Sequence, residues 1–233
     1  MSTPPPPPPP PPSGPYSAPP PGYVPYGTPG QGATKPSKGL SKAMIILYWC
    51  TSAASLLVAF ALFGRKGVWD DFVNGSASLT EIDDADSFAG LALVLQFALL
   101  LASAIVTCLW AKRIADNAKA RGVTNVSPGM AAGGWFIPIG NWFLGFDQLR
   151  KSVTGVGGKS AGLNVWQGLF VGQALALFLV NRFGDFSVFD PDGVSDQLRN
   201  QGLVGALGAI IYIAATIFAS KTAKEIDAAV TGG

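Results

Sequence analysis

The chain has 233 residues, of which 48% are hydrophobic and only 13% charged. Soluble domains carry about 25% charged residues, so roughly half the charge needed to cover a globular surface is present. Sixteen of the nineteen prolines fall in residues 1–36, and several uncharged apolar runs follow. One ordinary soluble domain is excluded, which leaves a polytopic membrane protein with a proline-rich tail.

Residues 1–36 are of low complexity. Pro4 to Pro12 are consecutive prolines, followed by Pro19-Pro20-Pro21-Gly22-Tyr23 and Val24-Pro25-Tyr26. Consecutive prolines fix φ and lose the N–H donor, so neither helix nor sheet forms there. The run predicts a polyproline II rod of about 28 Å at ~3.1 Å per residue. The Gly/Pro/Tyr stretch beyond it is expected to be disordered. Pro20, Pro21, Tyr23, Pro25 and Tyr26 suit an aromatic-lined groove on a cytosolic partner, or they are simply part of a solvated tail.

Four uncharged runs come next, at about 43–63, 88–110, 164–181 and 202–220. Each matches the 17–25 residues that cross a hydrocarbon core of ~30 Å as a helix. The third is the shortest and contains Gln167 and Gln173. The connecting segments set the orientation. Loop 64–87 holds two basic residues against six acids, and loop 182–201 holds two against four. Loop 111–163 holds seven basic residues against Asp116 and Asp147. With the N-terminus inside, twelve basic residues lie in the cytoplasm and four outside, so both termini are expected to be cytoplasmic. Trp49, Trp110 and Trp166 then approach the cytoplasmic boundary, as an aromatic belt would.

From Gly122 to Phe146 no residue is charged, yet Pro128, Pro138 and several glycines interrupt a long helix. A fifth span would place Lys112–Arg121 and Arg150–Lys159 on opposite sides and erase the charge bias. The spacing instead predicts a helix starting at Pro138, where the missing N–H is not needed. Ile139, Trp142, Phe143, Phe146, Leu149 and Val153 form its apolar stripe. Residues 129–153 are thus an amphipathic element at the cytoplasmic interface, or a re-entrant one in their first half.

Trp110-x-x-Arg113-x-x-x-Asn117-x-x-x-x-Gly122, then Pro128-Gly129 and Gly134-Trp135-Phe136-Ile137-Pro138-x-x-Asn141, resembles the signature of the family called Domain of Unknown Function 4328. The chain departs from that pattern after Asn141. Gly145-Phe146 stands where the family usually has Pro-Tyr, and Lys151-Ser152-Val153 where it has an acidic-Leu-Trp stretch. The resemblance implies a multi-span membrane fold and gives weight to the Trp-Phe-x-Pro-x-x-Asn loop. It carries no activity.

Chemistry is scarce elsewhere. The chain has no histidine and two cysteines, which excludes His-based catalysis and the usual zinc sites. Cys50 and Cys108 read as small hydrophobes within apolar runs. No metal set, cofactor or nucleic-acid partner is expected, and no nucleophile–base pair is visible. Gln96, Gln167 and Gln173 either line a polar cavity or hydrogen-bond across helices. Arg113 and Asn117 share a helix face, either as a polar cluster with Asn141 or as a charge anchor and a solvated or capping residue. Gly168-x-x-x-Gly172 and Gly205 permit close helix approach.

The expected architecture is an all-α, four-span plasma-membrane protein. It comprises a disordered tail over 1–42, a transmembrane domain over 43–220 and a short C-terminus over 221–233. The expected function is a non-enzymatic scaffold held in the lipid bilayer, whose tail recruits a cytosolic protein. The alternative is a small channel or transporter for a polar solute, assembled as a homo-oligomer.

Overall fold

Local signals explain where the helices start and stop in the computed structural model, which describes residues 33–137, 140–183 and 191–231. The side chains of Asn141, 176–183, Pro191 and Asp192 also lie outside the description, as do the tail positions Pro20, Pro21, Tyr23, Pro25 and Tyr26, and Pro138. Among the described residues the chain is helical and has no strand.

Helix α1 runs over Lys38–Val73 and α2 over Leu79–Ala120. A capping box opens α2, with Ser78 N–H donating to Glu81 Oε2 at 2.7 Å and Glu81 N–H to Ser78 Oγ at 3.3 Å. Gly122 ends it at φ +92°, a conformation that favours glycine, and Val123 N–H returns to Ala118 O at 3.0 Å. Helix α3, Pro128–Gly133, has Ser127 as its cap and Pro128 at its first turn. Two 3₁₀ turns, Gly134–Phe136 and Gly140–Trp142, lead to α4, Leu144–Gly155. Helices α5, Ala161–Phe183, and α6, Pro191–Thr231, complete the chain.

The helix expected to begin at Pro138 starts instead at Leu144. Trp142 O, which a helix from Pro138 would use internally, accepts from Gln167 Nε2 of α5 at 2.8 Å. Phe143 N–H closes the preceding 3₁₀ turn on Gly140 O at 3.0 Å. The first half of the predicted stripe therefore leaves the helix. Its second half, Phe146, Leu149 and Val153, is fully buried.

Helix α1 packs along both α2 and α6, and α5 lies against α6. Among the described residues three helices are long and apolar enough to cross a membrane: Lys38–Val73, Leu79–Ala120 and Gly193–Thr231. Helix α5 has 23 residues. At about 1.5 Å per residue, the 42 residues of α2 reach about 63 Å, twice a hydrocarbon core of ~30 Å. The long helices therefore project beyond it.

The main core lies at the end of the bundle where α1 begins and α2 and α6 finish. Met44, Trp110, Ile114, Ala118, Phe146, Leu149, Trp166, Ala219 and Ile226 meet there. A smaller cluster, Val58, Ala61, Ala89 and Ala92, lies between α1 and α2 farther along the bundle. Between these cores the helices are joined by side-chain hydrogen bonds from one face of α1. Tyr48 pairs with Thr107 at 3.0 Å, Thr51 with Ser103 at 3.1 Å, and Ser52 with Thr216 at 3.0 Å. Gln96 Nε2 donates to Ser55 Oγ at 2.8 Å. Such bonds contribute ~0.6 kcal/mol each in membranes and fix which faces meet. At the opposite end Arg65 pairs with Asp86, Lys66 with Asp70, and Ser195 Oγ donates to Asp70 at 2.7 Å.

Trp110 and Trp166 are not belt residues. Both are buried, with ring centroids 6.4 Å apart, whereas Trp49 is 45% exposed. An indole turns inward when its N–H finds a partner, and Trp110 has one in α6.

Candidate functional site: a clasp on the root of the tail

Residues 33–37 lead from the tail into α1 without forming helix. Pro36 accounts for this, because it disfavours the helical region at Lys35. An extended segment must find partners for its backbone groups. Trp110, Arg113 and Asn117, at i, i+3 and i+7 of α2, occupy the face that supplies them.

Asn117 is 1% exposed. Its Oδ1 accepts from Lys35 N–H and its Nδ2 donates to Lys35 O, both at 2.8 Å. One carboxamide thus satisfies both backbone groups of Lys35, as a neighbouring strand would. Arg113 Nη1 donates to Pro36 O at 3.2 Å. Ser37 Oγ donates to Asp227 Oδ1 at 2.6 Å, and Trp110 Nε1 donates to that same oxygen at 3.1 Å. Asp227 lies on α6 and is 3% exposed. Hydrogen bonds to a charged group contribute ~1.5–3 kcal/mol, so these two offset part of the desolvation of its carboxylate. Ser37 O then accepts from Leu40 N–H at 2.9 Å, which begins α1. The start of α1, the end of α2 and the end of α6 are joined through three consecutive tail-root residues.

Beside the clasp lies an aromatic cluster. Trp135 Nε1 donates to Ala131 O at 2.9 Å, which fixes the indole over α4. Its ring meets Phe146 at 4.8 Å and Phe170 at 6.1 Å, and Phe146 meets Trp166 at 5.2 Å. The approach depends on two glycines. A Cβ at Gly134 would lie 2.9 Å from Leu144 Cβ, and one at Gly145 would lie 2.6 Å from Trp135 Nε1. Gln148 Oε1 accepts from Ser127 N–H at 2.8 Å, tying the start of α3 to α4. Arg150 joins α4 to α5 through Asn164 Oδ1 at 2.9 Å and Gln167 Oε1 at 2.7 Å.

The remaining candidates fall apart from this centre. Among the described residues a Cβ at Gly129 would touch only Ser127 Oγ, at 4.0 Å. Phe136 is exposed. Gly205 approaches α1, where a Cβ would meet Leu62 at 3.3 Å and the Ala59 backbone at 3.5 Å. Gly168 and Gly172 have no heavy atom within 4 Å of a built Cβ among the described residues. Asp147 pairs with Lys151 at 2.6 Å, one turn away. Among the described residues no group of three acidic or cysteine side chains is arranged to hold a metal.

Asn117 is neither solvated nor a helix cap, and the described partner of Arg113 is a backbone carbonyl of the tail root. Lys35, Ser37 and Asp227 are the clasp residues that sequence reasoning missed.

No curated protein and no solved structure matches the chain. The family model described as Domain of unknown function (DUF4328) matches residues 73–228. That region contains Trp110, Arg113, Asn117 and Asp227, whereas the segment they hold lies before it. With the match covering more than half of its length, the chain belongs to the DUF4328 family.

Proposed function

We propose that this protein is a non-enzymatic scaffold of the plasma membrane, whose proline-rich tail recruits a cytosolic protein. In this reading α5 is a fourth crossing, and both termini lie in the cytoplasm. The charge distribution supports that orientation, with twelve basic residues on the side of the termini and four on the other. The observation that carries the scaffold reading is the double hydrogen bond between Asn117 and the Lys35 backbone. A tail that only floated would need no rooted origin. Here three motif side chains and a buried carboxylate hold its last residues on the basic end of the bundle.

A non-enzymatic role fits the use of the polar groups. Arg113 binds a backbone carbonyl and Asp147 pairs with Lys151. Of the three cavity residues of a channel reading, Gln96, Gln167 and Gln173, the first joins Ser55 and the second Trp142 O. These bonds favour packing over a solute path.

The test compares full-length protein, protein lacking residues 1–32, and a variant with alanine at Pro20, Pro21, Tyr23, Pro25 and Tyr26. The truncation stops before Lys35, so the clasp is left intact. Each is crosslinked mildly in native membranes and purified. The expected result is a cytosolic protein captured by the full chain and lost from both others. Equal partners for all three would overturn the recruiting role.

A further inference from the structure

Helix α2 leaves its uncharged run at Lys112. Just before that point Trp110 meets Trp166, with ring centroids 6.4 Å apart, so the membrane boundary crosses α5 near Trp166. Phe170 lies four residues farther along α5, about 6 Å deeper at ~1.5 Å per residue. Trp135 sits between them, 6.5 Å from Trp166 and 6.1 Å from Phe170. Trp142 O is bonded to Gln167, so the second 3₁₀ turn is held at the same level.

The side chains next to these two tryptophans point away from the core. Phe136 is 64% exposed, Ile137 43% and Phe143 53%. Ile105 and Leu109 of α2 and Val165 of α5 are exposed as well. No charged residue occurs between Gly122 and Phe146. An exposed aromatic tip in water would be an aggregation liability, whereas at this depth it meets acyl chains.

We propose that Phe136, Ile137 and Phe143 form a wedge inserted into the leaflet on the basic side of the membrane. The occupant of this surface is the lipid bilayer. Backbone groups at such depth require internal partners, and the 3₁₀ turns, Gln167 and the Trp135–Ala131 bond supply several. The inference rests on the reading of the bundle as membrane-embedded with α5 crossing beside it.

The experiment places nitroxide labels on the full chain in vesicles of phosphatidylcholine and phosphatidylglycerol. Phe136→Cys, Ile137→Cys and Phe143→Cys are each made in a Cys50→Ser, Cys108→Ala background. Phe97→Cys, on an exposed apolar position of α2, and Lys119→Cys, on its exposed charged end, are the references. Collisions with oxygen and with a water-soluble nickel complex are measured. The three tip labels are expected to favour oxygen, as Phe97 does, with the preference reversed at Lys119. Tip labels that follow Lys119 while Phe97 reports lipid would overturn the wedge and leave the membrane reading standing. Tip labels shielded from both reagents would also overturn it, because protein then covers the surface. If Phe97 itself favours the nickel complex, the membrane reading fails with it.

Discussion

Asn117 and Lys35 are joined by two hydrogen bonds of 2.8 Å, carboxamide to backbone, across 82 residues of sequence. A side chain pairing with both groups of one residue positions that residue in register, which a single bond or an ion pair does not. The motif face of α2 therefore reads backbone geometry, and the identity of the Lys35 side chain matters little to it.

Removing the carboxamide is expected to release the tail root. Asn117→Ala leaves both Lys35 backbone groups without their partner, at a cost of about 1–3 kcal/mol for partly buried groups. Amide exchange at Lys35 accelerates by about tenfold to a hundredfold, since each 1.4 kcal/mol is a factor of ten. Lys35→Ala changes the exchange far less. Hydrogen exchange with mass spectrometry on the protein in detergent checks both variants.

Trp110 and Ser37 share one carboxylate oxygen, so their effects are expected to be coupled. Trp110→Phe removes one donor from buried Asp227 and loses about 1–3 kcal/mol. In an Asp227→Asn background the loss shrinks, because the acceptor is no longer charged. A double-mutant cycle on unfolding midpoints reads a coupling of about 1 kcal/mol. Additive losses would show that the indole contributes only through packing.

Two glycines separate packing from mere composition. Gly145→Ala forces a methyl into the Trp135 indole and is expected to cost about 1–3 kcal/mol, with a shift in tryptophan emission. Gly168→Ala meets open space and changes stability by less than about 1 kcal/mol. Thermal unfolding followed by fluorescence distinguishes them.

Gln96→Leu tests whether that glutamine serves packing. Loss of its bond to Ser55 is expected to lower stability by about 0.6 kcal/mol, the usual size of a polar contact between membrane helices. Ser55→Ala produces a similar loss, and the double variant adds little more. An effect on solute flux from reconstituted vesicles with no change in stability would point to the channel reading.

Much of the helical frame was legible because it depends on local pattern. The uncharged runs locate α1, α2 and α6. The apolar spacing of Phe146, Leu149 and Val153 identifies the buried side of α4. The break before Leu144 was not legible, because it turns on a glutamine of another helix claiming a carbonyl. The clasp was hidden for a related reason. Trp110, Arg113 and Asn117 stand on one face in plain view, but their partners lie 77 to 117 residues away. Asp227 offered a faint signal, as an acid on the helix face of the buried series Ala223, Ile226 and Val230. Ser37, after a proline and before a helix, offered another.

The division of the bundle into two cores means that one chain is stabilised by two different solvents. Burial of Ile114, Ala118 and Ile226 beyond the hydrocarbon draws on expulsion of water, which urea weakens. Val58, Ala61, Ala89 and Ala92 lie within the apolar stretch, where acyl chains replace water and no such drive exists between helices. Close fit and the hydroxyl pairs hold that half together. Denaturant added from the aqueous side should thus loosen the tail root and the α3–α4 layer while the spans stay associated. A change of lipid thickness should disturb the hydroxyl pairs and leave the clasp closed.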